Sequence, residues 1–484
     1  MSGQGTRTLS APVLVVGGGL VGLSAALLLR HHGLPVTLVE RHQGTSPQPK
    51  ARRFHMRTME IFRELGLAEL VHEAARDLAG HDHFAAGHTL AECRRQPLTF
   101  PGGGDMPELS PELPCLIAQD VLEPVLRKAA VEAGAEVRFG TGVTGLQQSG
   151  DSVEAELDSG AERLRASYVI AADGARSGIR ERLGITRSGQ GAVGEPGVNV
   201  YFRAELADVV RGREFNLCKI EHPEAPGWLA SVDGRLRWVF GAPGGETARD
   251  WPRLLRTALG VPAPELEVLS VLSWQAEMLV ADAYSAGRVH LAGDAAHVMP
   301  PYAASGANTG IADVHNLAWK LAAVLRGEAD SALLDSYDTE RRPAGWFAAD
   351  QSARRSAAFR DGAGEPDPTL AHPFVLAAGG FQYPAGAFVP DGSVEPITQF
   401  APAGRVGTRV PHRWLDDARR RSTLDLAGPH WAVLEGRPQT ADFLPEGECL
   451  LIRPDQIVAW RGESPTAAEA VRAQLLGRPQ ISCS

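Results

Sequence analysis

The chain runs to 484 residues, too many for one ordinary hydrophobic core, so about three domains are expected. Its 44% hydrophobic and 22% charged content is that of a globular protein, and a formal charge of −10 excludes the basic field that gathers nucleic acid or an anionic membrane surface. A small molecule is the expected partner.

Residues 1–10 carry no periodicity and are expected to fray. The apolar run 13–29 imitates a signal peptide or a short membrane span, but Gly17-Gly18-Gly19 interrupt it. A buried strand (13–16), a tight turn and a buried helix (20–31) explain it better. Gly33 stops that helix and a second strand follows (35–40), which predicts a βαβ start and a parallel sheet. Helical patterns recur at 58–67 and 120–133, and between 197 and 274 the texture changes to short alternating runs, predicting an antiparallel layer. Helices are predicted again at 311–325 and 333–342, and then comes a Gly/Ala/Pro-rich stretch. Near the C-terminus, 431–434 and 449–452 read as strands and 466–475 as a helix. Five scattered cysteines, Cys93, Cys115, Cys218, Cys449 and Cys483, show no Cys-x-x-Cys or His/Cys spacing. They argue against a disulfide framework and a structural zinc, predict no metal, and fit a reducing cytoplasm.

The first motif is Gly17-x-Gly19-x-x-Gly22. Gly17 permits the turn, Gly19 the approach of a pyrophosphate and Gly22 close packing of the helix, whose start, Leu20 and Val21, presents N–H groups to phosphate. Glu40 ends the second strand, where an acidic side chain accepts from an adenosine ribose, and Arg41 follows. This predicts a dinucleotide without separating NAD from FAD. Two further turns follow apolar strands: Asp173-Gly174 after 169–172, and Gly293-Asp294 after 288–292. On its own Asp294 reads equally as a turn or capping residue. His297 reads as a packed or capping residue, and Trp228, Trp238 and Trp274 as sheet packing.

With these motifs the chain resembles the flavoprotein aromatic hydroxylases related to para-hydroxybenzoate hydroxylase, and within them hydroxylases of aromatic polyketides, including anthracycline types. Further residues carry the resemblance: Lys50-Ala51-Arg52, Arg57-Thr58-Met59-Glu60, Gln119, Pro300-Pro301, Gly306-Ala307-Asn308-Thr309-Gly310, Asn316 to Leu321, and Glu340-Arg341-Arg342-Pro343. The resemblance implies an α/β chain of four parts. They are a discontinuous Rossmann-like FAD-binding domain (1–185 and 282–360), an inserted antiparallel-sheet substrate domain (186–281), a linker (361–402), and a thioredoxin-like domain (403–484). Gly407 to Pro411 and Ile452-Arg453-Pro454-Asp455 carry the last of these, without a Cys-x-x-Cys, so packing or dimerisation is expected of it rather than dithiol exchange.

By resemblance, Asp294 holds the ribityl chain of FAD, Gly306, Ala307 and Asn308 offer N–H groups to the flavin pyrimidine ring, and Gln119 contacts the diphosphate-ribityl region. Asp173 supports FAD indirectly, and Pro301 sits beside the flavin edge. The family's usual Arg is Lys50 here, which lacks a planar fork, so its contact is expected to pass to Arg52 or Arg53. Ala303-Ala304 replace a frequent glycine pair. The implied reaction uses NADPH or NADH to reduce FAD, forms a C4a-hydroperoxide with O2, and hydroxylates an aromatic substrate held between the FAD domain and the antiparallel layer. The chain is expected as a monomer or homodimer, with no catalytic base assigned. Baeyer–Villiger or antibiotic-inactivating monooxygenation, and an FAD-binding assembly partner without oxygenation, are the alternatives.

Overall fold

The computed structural model describes residues 7–96, 106–160, 162–262, 265–360, 367, 369–392 and 399–477; Cys483 lies outside them. Its centre is an eight-stranded sheet whose main path runs Ser285–Ala286, Val289–Leu291, Glu162–Ala171, Arg7–Val16, Val36–Glu40, Glu136–Phe139, with the hairpin Val143–Ser149 and Ser152–Leu157 joined to one side. The middle strands pair in parallel, as the βαβ pattern predicts. Val13, Leu14 and Val15 are fully buried there, because helices cover both faces of a parallel sheet. The first strand starts at Arg7, not at 13. Arg7 to Ser10 pair with Glu162 to Arg165, a long-range partner that no local pattern reveals.

Five helices matter for the site: α1 (Leu20–His31), α2 (Met56–Glu64), α3 (Gln119–Glu132), α4 (Ser305–Leu325) and α5 (Asp335–Arg360). Pro343 signals an end to the last of these in sequence, yet α5 continues past it. Buried Arg341, Ala344, Ala348, Ala349 and Ala353 anchor it on both sides of the proline.

A seven-stranded sheet stands over one edge, in the order Glu267–Trp274, Gly197–Arg203, Arg237–Pro243, Gly227–Ser231, Leu217–Ile220, Phe84–Gly87, Arg94–Gln96. Its outer face, with Val198, Val200, Phe202, Trp238 and Phe240, packs beneath the helix Trp251–Leu259. Two of its strands come from the N-terminal half, and Phe84–Gly87 pairs in parallel with Leu217–Ile220. Phe-Ala-Ala-Gly is too short and small to announce a strand.

The C-terminal unit holds an antiparallel sheet, Ala432–Glu435, Cys449–Ile452, Val458–Gly462, under the helix Pro465–Leu475. A buried charge network joins it to α4 and α5. Glu340 accepts from Asn316 Nδ2 at 2.6 Å, Lys320 Nζ at 2.9 Å, both terminal nitrogens of Arg453 at 2.7 and 2.8 Å, and the Ala387 amide at 2.7 Å. Asp455 completes it on Arg453. Two carboxylates thus offset two cations, the condition under which buried charge is tolerable. No helix among the described residues is long and apolar enough to cross a membrane.

Candidate functional site

The strand Arg7–Val16 ends in the turn at Gly17, whose φ of +112° only glycine adopts without strain. A Cβ there would lie 2.2 Å from the Ala172 carbonyl oxygen, so the turn is pressed against the next parallel strand. A Cβ on Gly22 would meet the Gly17 carbonyl oxygen at 1.8 Å, which fixes α1 hard against its own turn. Gly19 stands at the N-cap of α1, and no side chain caps it. The first-turn N–H groups and the positive end of the helix dipole are therefore available to an anion.

Glu40 is tied to the same turn: its carboxylate accepts from the Gly18 amide at 2.6 Å and the His42 amide at 2.8 Å. Arg41 is exposed beside it.

The three motifs meet at one side chain. Leu20 is buried, and Val21 after it packs so closely that a Cβ on Gly293 would lie 2.8 Å from Val21 Cγ2. A Cβ on Gly310 would lie 2.6 Å from that same carbon and 2.8 Å from Gly293 Cα. The dinucleotide turn, the Gly293-Asp294 turn and the start of α4 thus converge at the C-terminal ends of the parallel strands, where open α/β sheets bind ligands.

Asp173 and Asp294 follow neighbouring strands. Asp173 accepts from the Ile179 amide at 3.2 Å, and burial raises its carboxyl above the usual range, with hydrogen bonds to Ser177 and Ile179 opposing. Asp294 is exposed toward the cleft although protein crowds it on its other sides. That crowding raises its carboxyl, while His297 and Lys50 pull it down. His297 is committed elsewhere: its Nε2 lies 2.8 Å from Asp313 Oδ2, which also accepts from the Gly293 amide at 3.1 Å. Arg341 Nε donates to the other Asp313 oxygen at 2.9 Å. This buried triad sets the height of the Gly293 turn. Asp313 escaped the sequence reading, although a carboxylate inside an apolar helix is a recognisable sign of a buried partner.

Pro301 leads into a 3-10 turn (Tyr302–Ala304), and Ala304 takes a left-handed conformation (φ +53°) ahead of α4. No side chain caps α4, so the amides ahead of its first intrahelical bond, among them Gly306 and Ala307, need an outside acceptor. The Asn308 side chain works inward. It accepts from the His55 amide at 2.8 Å and Thr58 Oγ1 at 2.6 Å, and donates to the carbonyls of Arg53 at 3.1 Å and Ala304 at 2.6 Å.

Gln119 holds the segment around Lys50: it accepts from the Ala51 amide at 3.1 Å and donates to Glu123 at 2.6 Å. Glu123, buried on α3 and missed in sequence, lies 3.6 Å from where a Cβ on Gly19 would stand. Burial raises its carboxyl, and the Lys50 charge opposes this. Lys50, exposed, is therefore felt by both Glu123 and Asp294, on either side of the cleft. The Arg52 guanidinium turns to the seven-stranded sheet and donates to the Ser231 carbonyl and to Asn216.

The residues fit an extended dinucleotide: small where a Cβ would collide, amides free at two helix starts, and Lys50 between them. A family model described as an FAD binding domain matches residues 10–352. Tetracenomycin B2 monooxygenase-dioxygenase of Streptomyces olivaceus is 39% identical, with 96% of this chain and 97% of the relative covered. 4-Methyl-5-nitrocatechol 5-monooxygenase of Burkholderia sp is 34% identical, with 96% and 98% covered. The solved ternary complex of aklavinone-11 hydroxylase with FAD and aklavinone superposes with a TM-score of 0.87 at 31% identity, over 97% of this chain and 99% of that one. The mixed α/β architecture is theirs, and the chain belongs to the FAD binding domain family, among its flavin-dependent monooxygenases.

Proposed function

We propose that the chain takes electrons from NADPH or NADH onto FAD and hydroxylates an aromatic, polyketide-like ring. The observation that carries this is the convergence of the three glycine-centred motifs on Val21, with two uncapped helix starts facing one cleft. Bound FAD would supply the electron transfer and the activation of O2, which no side chain can supply.

The chain's own residues bind and orient. Gly17, Gly19, Leu20, Val21 and Gly22 shape the turn for the pyrophosphate, with Lys50 as counter-charge and Gln119 and Glu123 as the scaffold beneath it. Glu40 and Arg41 serve the adenosine ribose, and Asp294 the ribityl chain. The first amides of α4, from Gly306, Ala307 and Asn308, face the pyrimidine ring, where preorganised donors stabilise negative charge. Pro301 flanks the flavin edge, and Asp173 supports the turn beside it. The aromatic ring lies between this half and the seven-stranded sheet, in a space that excludes water from the reacting oxygen. The polyketide preference is supported by the tetracenomycin and aklavinone enzymes among the relatives.

The division into a discontinuous FAD domain, substrate domain, linker and C-terminal domain belongs to the same reading. The C-terminal unit keeps the antiparallel half of a thioredoxin-like layer, in a packing role.

Reconstitution with FAD followed by NADPH oxidation against a panel of aromatic polyketides tests the function. Stimulated consumption and a product carrying one oxygen atom from labelled O2 on a ring carbon are expected. Failure to take up FAD would sink the reading. Oxygen inserted beside a carbonyl would redirect it to a Baeyer–Villiger reaction.

A further inference from the structure

Two cysteines that take no part in the cleft meet inside the seven-stranded sheet. Cys93 and Cys218 are far apart in the chain, yet both are buried in the core that the helix Trp251–Leu259 covers. Cys218 lies on Leu217–Ile220, which pairs in parallel with Phe84–Gly87, so that Cys218 stands opposite Ala85 and Ile220 opposite Gly87. Alternate positions share a face, and Ala85 and Gly87 therefore look into the same core as Cys218 and Ile220. Gly87 has no side chain to put there, and Cys93 takes the space: a Cβ on Gly87 would lie 2.6 Å from the Cys93 Cα. The turn that brings it back is fixed at both ends. The Leu90 amide donates to the Ala258 carbonyl at 2.9 Å, and the Cys93 amide to the Leu90 carbonyl at 3.2 Å. The two thiols face each other and hydrogen-bond.

Their surroundings make the pair unequal. Arg213 Nη1 donates to the carbonyls of Ala91 at 2.8 Å and Cys93 at 3.1 Å, which sets a guanidinium against the Cys93 turn. The hydrogen bond from Cys218 brings the Cys93 thiol down to about 7, with burial opposing and the Arg213 charge assisting. Cys218 is pushed above the usual thiol range by the same bond and by burial. Cys115, by contrast, is pushed up to about 12 by burial. The thiolate is the reactive form of cysteine, so Cys93 is the nucleophile of the pair and Cys218 its proton-bearing neighbour.

Access comes from the edge of the sheet. Cys93 leads directly into Arg94–Gln96, the edge strand, whose three residues are exposed, and Glu92 before it is exposed as well. A short edge strand, bonded to a neighbour on one side, opens locally more readily than a strand inside the sheet.

We propose that Cys93 and Cys218 are a modification site, joined as a reversible disulfide by hydrogen peroxide. The Cys93 sulfur attacks one peroxide oxygen, the O–O bond breaks, and the other oxygen leaves as water with the thiol proton, giving a sulfenic acid on Cys93. The Cys218 sulfur then attacks that sulfur. Its S–H bond and the S–O bond break, and the sulfenic oxygen leaves with the proton as a second water. Both sulfurs are oxidised and the peroxide is reduced. The new bond closes a loop of more than a hundred residues and fastens the hairpin of Phe84–Gly87 and Arg94–Gln96 to Leu217–Ile220. The inference goes beyond the monooxygenase reading and does not rest on it.

The test treats the full, FAD-loaded chain with hydrogen peroxide, blocks the remaining thiols in denaturant and maps the peptides without reduction. A Cys93–Cys218 cross-linked peptide, a thiol count lower by two, their return with dithiothreitol and a higher melting temperature of the oxidised protein are expected. Cys218→Ser should stop at the sulfenic acid on Cys93, trapped by dimedone, and Cys93→Ser should leave Cys218 as a thiol. An unmodified pair, a sulfinic acid on Cys93 in the wild type, or Cys93 joined to another cysteine overturns the inference. So does a cross-link that forms only after FAD absorbance and the cooperative melt are lost, since the fold would not then have brought the thiols together. If a serine variant fails to fold, the wild-type map decides. Failure to take up FAD bears on the monooxygenase reading and leaves this map to be read as before.

Discussion

At the cofactor cleft the polypeptide leaves polar groups facing outward, whereas at the junction with the C-terminal unit it turns them onto one another. Around Gly19 and Ser305 two helix starts lack side-chain caps, and Asp294 faces the cleft with its carboxyl raised. Around Glu340 every charge is wholly buried and matched, and the carboxyl is held far below its usual range: burial opposes ionisation, but Arg453 and Lys320 outweigh it. Unspent polarity marks where a ligand belongs, and spent polarity marks a joint. Substitutions in the two regions should therefore fail differently.

The largest effect is expected at the joint. Glu340→Ala strands Arg453 and Lys320 without their shared partner, a loss of about 3–5 kcal/mol. Thermal melting should fall steeply, with any folded fraction still taking up FAD; an unchanged melting temperature would show that the network is not a joint. Gly17→Ala should do the reverse. Its Cβ would press on the Ala172 carbonyl at 2.2 Å, and strain of about 3 kcal/mol would weaken FAD binding by roughly 100-fold in a fluorescence titration. Wild-type affinity would mean the turn can yield.

Glu64 gives a pH handle between the two regions. Burial opposes its ionisation, but His315 and His31 prevail and set its pKa at about 2, below the ordinary 4.5. Its stabilisation is therefore complete above pH 4.5 and is lost as pH falls toward 2. Glu64→Gln should flatten urea-measured stability over that window by roughly 2 kcal/mol; an identical slope in both proteins would refute the assignment. The smallest effect is at Ala304, whose φ of +53° disfavours any side chain. Ala304→Gly should add up to about 1 kcal/mol to stability without changing FAD affinity.

The same contrast explains what could be read from the sequence. Gly17, Gly22 and Gly293 were legible because a backbone that must approach another backbone tolerates nothing larger, and that demand is local. The antiparallel run from 197 and the helices after 305 were legible through periodicity. Arg7 to Ser10 and Phe84 to Gly87 were not, since their partners lie far along the chain. Glu123 and Asp313 were missed because a buried carboxylate is identified by its neighbours, and sequence does not say which way the Arg52 side chain turns.

The network at Glu340 also bears on how the chain is made. Lys320 and Glu340 emerge from the ribosome more than a hundred residues before Arg453 and Asp455. Until Arg453 and Asp455 appear, α4 and α5 hold an incomplete charge set that cannot be sealed from water. Both helices would then settle only once residues 453–455 have been made. A nascent chain stalled before 453 should remain open to protease along α5, while one extended well past 455 should not.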